Sequence, residues 1–251
     1  MPLRVLSYNI LNGGEDRLPH LAHIIRQQRP NVVALIEANS RPHAEALASQ
    51  LKMQLVFGEA NGKANVALLS ERPIIHYANH RLPDLAKTLL EITIHWEGAP
   101  LTIFATHLKA GQTKKSEQKR SIEIQVILAL MQQLGGRPHL LMGDLNTVSP
   151  EDPIDLPEYL ATLRERGESS PDPQFPRQVT PLLLQAGYTD CYRSQHHIAP
   201  GYTTHTMHPA LRIDYIFATS SLARRLAACD IVTGVETCTA SDHFPIWAEF
   251  R

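Results

Sequence analysis

The chain has 251 residues, 43% of them hydrophobic and 20% charged, with a formal net charge of −1. That length and composition fit an ordinary globule with one large core, and no linker-like stretch divides it, so one domain is expected over residues 1–251. A near-neutral chain excludes a polyanion-binding surface spread over the whole molecule, and no apolar run approaches bilayer length.

Taken in order, the chain opens on a strand, Leu3 to Ile10, with Asn9 near its end and no leader-like segment before it. Leu18, Leu21, Ala22, Ile24 and Ile25 have helical spacing, and Pro30 ends that helix. Val32 to Ile36 reads as a buried strand ending at Glu37. A helix from Ala44 to Leu51 precedes strands near Leu55–Phe57 and Asn65–Leu69, and Pro73 starts an extended stretch to Ala78. Leu89 to Trp96 and Leu101 to Thr106 form a hairpin about Glu97-Gly98-Ala99-Pro100, its second strand ending at His107. Ile122, Val126, Leu130 and Leu134, with Ile127 and Met131 beside them, mark one long amphipathic helix, closed by Gly135-Gly136.

Next comes the uncharged run Leu140-Leu141-Met142, which stops at Gly143-Asp144-Leu145-Asn146. Residues 149–176 are an excursion punctuated by Pro150, Pro153, Pro157, Pro171, Pro173 and Pro176, with a short helix from Glu158 to Arg166. A helix from Val179 to Ala186, strands at Ile213–Ala218 and Ile231-Val232, and a last strand, Ile246–Phe250, complete the chain. Cys191, Cys229 and Cys238 are an odd set without metal-type spacing, which implies reduced thiols in a reducing, cytoplasmic compartment.

The polar groups at strand ends, or just before strands, are Asn9, Glu37, His107, Asp144, Asn146, Asp214, Asp242 and His243. They are acids, amides and histidines, with no serine or cysteine nucleophile among them. Such a set suits hydrolysis by an activated water, above all at phosphorus. Glu37, helped by Asn9 or Asp242, has the hard oxygen donors that Mg²⁺ prefers. Asn146 offers a donor to a developing phosphorane without adding charge. Asp214 lies in a strand pattern, where an acid is costly unless paired, and beside a histidine it would orient the ring. Each residue alone also has an ordinary reading as a turn, cap or solvated loop end.

Six segments carry a resemblance. Tyr8-Asn9-Ile10, Leu35-Ile36-Glu37, Thr106-His107-Leu108, Gly143-Asp144-Leu145-Asn146, Arg212-Ile213-Asp214-Tyr215 and Ser241-Asp242-His243-Phe244-Pro245 stand in the order and rough spacing of the endonuclease/exonuclease/phosphatase superfamily, the deoxyribonuclease-I-like fold. The resemblance implies an α/β fold: a four-layer α/β sandwich, two mixed β-sheets packed face to face with helices outside. It also implies phosphoester cleavage with Mg²⁺ or Mn²⁺. By the same resemblance Glu37 would be the main metal ligand, with Asn9 and Asp242 supporting it. Asp144 would align or deprotonate water, Asn146 would bind phosphate, and His243, held by Asp214, would contact the scissile group. His107 would touch a phosphate oxygen, and Asn65 lies where the family has a strand near the site. Ile36 stands where the family often has Gln. Leu11 replaces an Asp, and His107 a Tyr, of the exonuclease III and abasic-endonuclease branch, which argues against an abasic-site specialist.

The resulting expectation is a divalent-metal-dependent, monomeric phosphodiesterase acting on nucleic acid, DNA favoured. The rivals are an enzyme for a small or lipid phosphoester and a binding module without chemistry. The preference for nucleic acid rests on Lys109, Lys114, Lys115, Lys119 and Arg120, opposed only by Glu117. Basic residues at a helix N-terminus oppose its dipole by a few tenths of a kcal/mol each, and Lys114, Lys115 and Lys119 are the expected contacts to flanking phosphates.

Overall fold

The computed structural model describes residues 1–167 and 177–251. Its strands are β1 (Leu3–Asn9), β2 (Val32–Ile36), β3 (Gln54–Gly58), β4 (Val66–Ser70), β5 (Ile74–His80), β6 (Leu89–Trp96), β7 (Ala99–His107), β8 (His139–Asp144), β9 (Tyr188–Asp190), β10 (Asp214–Thr219), β11 (Leu226–Ile231) and β12 (Ile246–Phe250). Its helices are α1 (Leu18–Gln28), α2 (Arg41–Leu51), α3 (Lys114–Gln132), α4 (Leu156–Glu165), α5 (Val179–Gln185), α6 (Cys191–Gln195), α7 (Ser220–Ala223) and α8 (Val235–Ala240). The strands make two six-stranded sheets, ordered β11-β12-β1-β2-β4-β3 and β5-β6-β7-β8-β10-β9. Both are mixed: β1 runs parallel to β2 but antiparallel to β12, and β8 runs parallel to β7 but antiparallel to β10. The sheets pack face to face and helices cover their outer sides, giving the four-layer α/β sandwich that the motifs imply.

Side-chain alternation along each strand builds the layers. On β1, Leu3 and Val5 enter the core between the sheets, while Leu6 and Tyr8 face α1 and α2. On β8, Leu140 and Met142 point inward and Leu141 points out to α3 and α5. Carried on in steps of two, the inward faces deliver Asn9 at the end of β1, His107 at the end of β7 and Asp144 at the end of β8. Asp214 begins β10 but meets the same end, because β10 is antiparallel and pairs Asp214 with Asp144. A register slip of one residue would send the whole row to the opposite face. Gly143, at φ 142°, makes the row possible, since a Cβ there would lie 1.9 Å from the Thr106 carbonyl oxygen on β7.

Several expected elements differ. The hairpin turn is Glu97-Gly98 alone, both at positive φ, and β7 begins at Ala99. The long helix begins at Lys114, with the basic cluster in its first turns; Ile127 and Met131 lie on its buried face as expected, whereas the row Ile122, Val126, Leu130 and Leu134 is only partly buried or exposed. Ile124, Ile127, Leu128 and Met131 are buried, whereas Ile122 is 47% exposed. A strict four-residue repeat drifts around a helix of 3.6 residues per turn, and the buried face also carries Glu117, Arg120 and Glu123, which disguised it. Strand β11 ends where Ile231-Val232 had been expected to form it, and β9, α6, α7 and α8 were not foreseen. Of the excursion over 149–176, Pro171, Pro173 and Pro176 lie outside the described residues. Among the described residues no helix is long and apolar enough to cross a membrane.

Candidate active site

His107, Asp144 and Asp214 form one row across three adjacent strands: His107 pairs with Asp144 in the β7–β8 register, and Asp144 with Asp214 in the β8–β10 register. His107 and Asp144 line a pocket of about 260 Å³ together with Asn146, Asp242, His243 and Glu37, and Asp214 is not part of its lining. A wall opposite them comes from α4 and the loop before β10, with Tyr159, Thr162, Leu163, His205 and Leu211. Arg166, just after α4, reaches Asp242 Oδ2 at 2.9 Å.

The site is cross-linked by short polar contacts. Asn146 N donates to Asp144 Oδ1 at 2.9 Å, and Asn9 Nδ2 donates to Asp144 Oδ2 at 3.1 Å and to Glu37 Oε1 at 3.3 Å. Asn12 N donates to Glu37 Oε2 at 3.1 Å. Glu37 and Asn146 both have positive φ, 59° and 51°, a conformation non-glycine residues adopt only when the surroundings enforce it. The carboxamide of Asn146 donates to the Leu108 carbonyl at 3.3 Å, and Gln112 Nε2 donates to the Asn146 carbonyl at 3.0 Å. His243 and Asp214 are joined Nδ1 to Oδ2 at 2.8 Å, both almost fully buried. Behind them Ser241 Oγ donates to the Asn9 carbonyl at 2.7 Å, which fixes the segment before β12 against β1.

Electrostatics divides the roles. Burial disfavours a charge on His243, but the Asp214 carboxylate in contact with it prevails, and His243 titrates at about 10. It is an imidazolium at neutral pH. Burial pushes Asp144 up to about 7, Asp214 adding to the effect while His243 and Lys87 pull against it. Burial, then the charges of Lys87 and His243, hold His107 well below its ordinary value. Its 3.5 Å contact with Asp144 Oδ2 is therefore that of a neutral ring, not an ion pair. Burial would raise Asp242, but His243 and the Arg166 hydrogen bond outweigh it and hold the carboxyl below the usual range.

For a cation, the donor set fits. Glu37 and Asp242 put carboxylates on the same pocket, and Asp242 Oδ1 is buried with no hydrogen-bond partner among the described residues. Such an orphaned oxygen, in a pocket that a second carboxylate also lines, suits a hard divalent ion. One ligand atom each of Asp144, Asp214 and His243 also lies within 4.8 Å of the others. That trio has a charged imidazole hydrogen-bonded inside it, so it holds a proton where a metal would need a lone pair.

Other predicted residues fall elsewhere. Asn65 is absent from the pocket lining; its side-chain oxygen accepts Ala60 N at 2.9 Å and its carbonyl accepts Ala38 N at 2.8 Å, bracing the loop behind Glu37. Lys114 and Lys115 are exposed at the start of α3, beyond Gly111 and Gln112 of the pocket rim. Lys119 Nζ is engaged by the Asp84 carbonyl at 2.7 Å. Arg120, counted in the basic cluster, is fully buried against Glu117 and the carbonyls of Lys109 and Gly111, so it builds the loop and presents no charge outward. Gln112, Arg166, His205 and Lys87 were missed. Arg166 ends a helix that the sequence does predict, but nothing in its spacing points to Asp242.

Comparison with known proteins agrees with the fold. The model of the Endonuclease/Exonuclease/phosphatase family matches residues 6–243. The chain is 26% identical over 279 residues to exodeoxyribonuclease III of Haemophilus influenzae, covering 99% of this chain and 100% of that one. Among solved structures it resembles the 3′ phosphatase NExo from Neisseria, bound to a product DNA hairpin, with a TM-score of 0.75, 22% identity and 99% of each chain covered. It also resembles an AP endonuclease from Archaeoglobus fulgidus, with a TM-score of 0.74, 21% identity and 99% of each chain covered. These names include the branch from which Leu11 and His107 depart.

Proposed function

The chain belongs to the endonuclease/exonuclease/phosphatase family, and from that premise we propose that it is a metal-dependent phosphodiesterase that hydrolyses nucleic acid, DNA favoured. One observation carries the proposal: a buried carboxylate poised near neutrality, Asp144, lies 4.0 Å from a histidine that is charged at neutral pH, His243. A group that titrates near the working pH is suited to take a proton. A fixed cation beside it is suited to stabilise negative charge as that charge develops.

Asp144 aligns a water and takes its proton as the water oxygen bonds to phosphorus. The bond from phosphorus to the leaving oxygen breaks on the opposite side. His243 offers Nε2–H to a non-bridging oxygen, its Nδ1–H held by Asp214. Asn146 donates from its carboxamide to the same phosphoryl group, and neutral His107 contacts another of its oxygens. Asn9 spans Glu37 and Asp144 and keeps the two carboxylates in register. Glu37, with Asp242, would hold Mg²⁺ or Mn²⁺, which supplies charge neutralisation at the phosphate when bound. Lys114, Lys115 and Lys119 extend the contact to flanking phosphates, which a polymer has and a small ester lacks.

A panel of labelled duplex and single-stranded DNA, RNA, bis-p-nitrophenyl phosphate and p-nitrophenyl phosphate, each with Mg²⁺ and with EDTA, tests the reading. Diester and DNA cleavage with Mg²⁺ supports it. Preference for the monoester over every diester would favour a phosphatase for small substrates instead.

A further inference from the structure

The loop between β5 and β6 carries a lysine that lies behind the pocket wall and takes no part in the reaction described. Lys87 Nζ donates to the Leu108 carbonyl at 3.0 Å. The same carbonyl accepts the Asn146 carboxamide at 3.3 Å, and Leu108 N donates to the Asp144 carbonyl at 3.0 Å. The peptide after His107 is thus fixed from three directions. Glu123 of α3 locks this arrangement from below: its two oxygens accept Ala86 N at 2.7 Å and Lys109 N at 2.9 Å. One buried acid thereby ties the residue before Lys87 to the residue after Leu108.

A lysine in this place is physically expensive. Burial, with the nearby charge of Lys109 adding to it, holds its ammonium down at about 8 against the pull of Asp144, Glu37 and Glu123. A neutral donor would satisfy the carbonyl at less cost. What an ammonium adds is a strong, charge-assisted grip on the one acceptor that orients Asn146. Asn146 sits at positive φ, and among the described residues its side chain makes no other hydrogen bond. We propose that Lys87 is a positioning residue: it fixes the Leu108 carbonyl and, through it, the Asn146 carboxamide in the orientation that serves phosphoryl transfer. This rests on the phosphodiesterase reading given above.

A double-mutant cycle separates positioning from general damage. Lys87→Met should lower kcat on bis-p-nitrophenyl phosphate by about 10–100-fold with KM nearly unchanged, and Lys87→Arg should restore most of it. In an Asn146→Ala background, where nothing is left to orient, Lys87→Met should change kcat less than about twofold. Equal losses in both backgrounds, or no loss in either, would overturn the proposal. Lys87→Gln, which keeps a donor, replaces Lys87→Met in the cycle if the latter does not fold. The Asn146 side-chain amide signal in ¹⁵N–¹H spectra, identified by its loss in Asn146→Ala, gives a readout without turnover. It should shift in the Lys87 variant, and an unmoved signal counts against the proposal. If the wild type hydrolyses no phosphoester, the functional reading fails and this signal alone decides whether Lys87 orients Asn146.

Discussion

Asp214→Asn isolates the charge that makes His243 an imidazolium. Asparagine keeps the shape of the side chain and a hydrogen-bonding oxygen for Nδ1, now 2.8 Å from the carboxylate, and removes only the negative charge. His243 titrates at about 10 where an ordinary histidine titrates at 6.5. At about 1.4 kcal/mol per pKa unit, the surroundings hold the proton with energy on the order of 4–5 kcal/mol, most of it from Asp214. Without that charge burial takes over, and His243 should become neutral within the working range. Turnover at pH 7.5 should fall by roughly 10²-fold or more, because the group proposed to stabilise the transition state would lose its charge. The alkaline limb of the pH–rate profile should move down by at least about one pH unit. Stability should respond with a definite sign. The folded value is raised, so the stabilisation is complete below about 6.5 and disappears as pH rises through about 10. The difference in melting temperature between wild type and variant should therefore be large at pH 6 and small near pH 10. Steady-state kinetics across that range and melts at its two ends measure both effects. A variant with wild-type kcat and an unmoved alkaline limb would remove the pair from the mechanism.

Two further perturbations test the frame and the substrate. Gly143→Ala places a Cβ against the Thr106 carbonyl at 1.9 Å; it should destabilise the fold by several kcal/mol and reduce activity more than its stability loss explains, read by denaturant melts beside kcat, and an unaffected enzyme would mean that β7 and β8 can part freely. Replacing Lys114, Lys115 and Lys119 by alanine should weaken DNA binding and flatten its salt dependence by up to roughly 0.7–0.9 in the log–log slope per lost phosphate contact. The effect of Lys119 should be the smallest, since its amine is held by the Asp84 carbonyl, and an unchanged slope in the triple variant would discard the patch.

The parts of this molecule that can be read from the sequence are those where one strong rule acts alone. Leu140-Leu141-Met142 reads as a buried strand because nothing polar interrupts it, and Asp144 is conspicuous because it ends that run. The same logic marks Glu37 after β2 and His107 at the end of β7. Asp214 was legible through its cost: an acid in a strand pattern requires a partner, and His243 is that partner. Where two rules compete, the pattern fails. On α3 the apolar face is interleaved with Glu117, Arg120 and Glu123, which tertiary contacts satisfy, so composition pointed to solvent where the fold has a buried network. Arg120 looked like part of a binding patch for the same reason. Lys87 lies in a loop with no periodicity at all, and its relation to Leu108 and Asn146 exists only once β7 and β8 are side by side. Strand β9 is three residues long, too short for alternation to show.

The central claim is hydrolysis of nucleic-acid phosphodiesters that depends on a divalent ion held by Glu37. The most direct measurement is cleavage of an end-labelled DNA strand across a Mg²⁺ titration, with an EDTA arm, for the wild type and Glu37→Ala side by side. The account predicts no product in EDTA, recovery with Mg²⁺ or Mn²⁺, and a Mg²⁺ requirement raised by about tenfold or more in Glu37→Ala. Undiminished cleavage in EDTA, or a Glu37→Ala enzyme with the wild-type Mg²⁺ dependence, would contradict it.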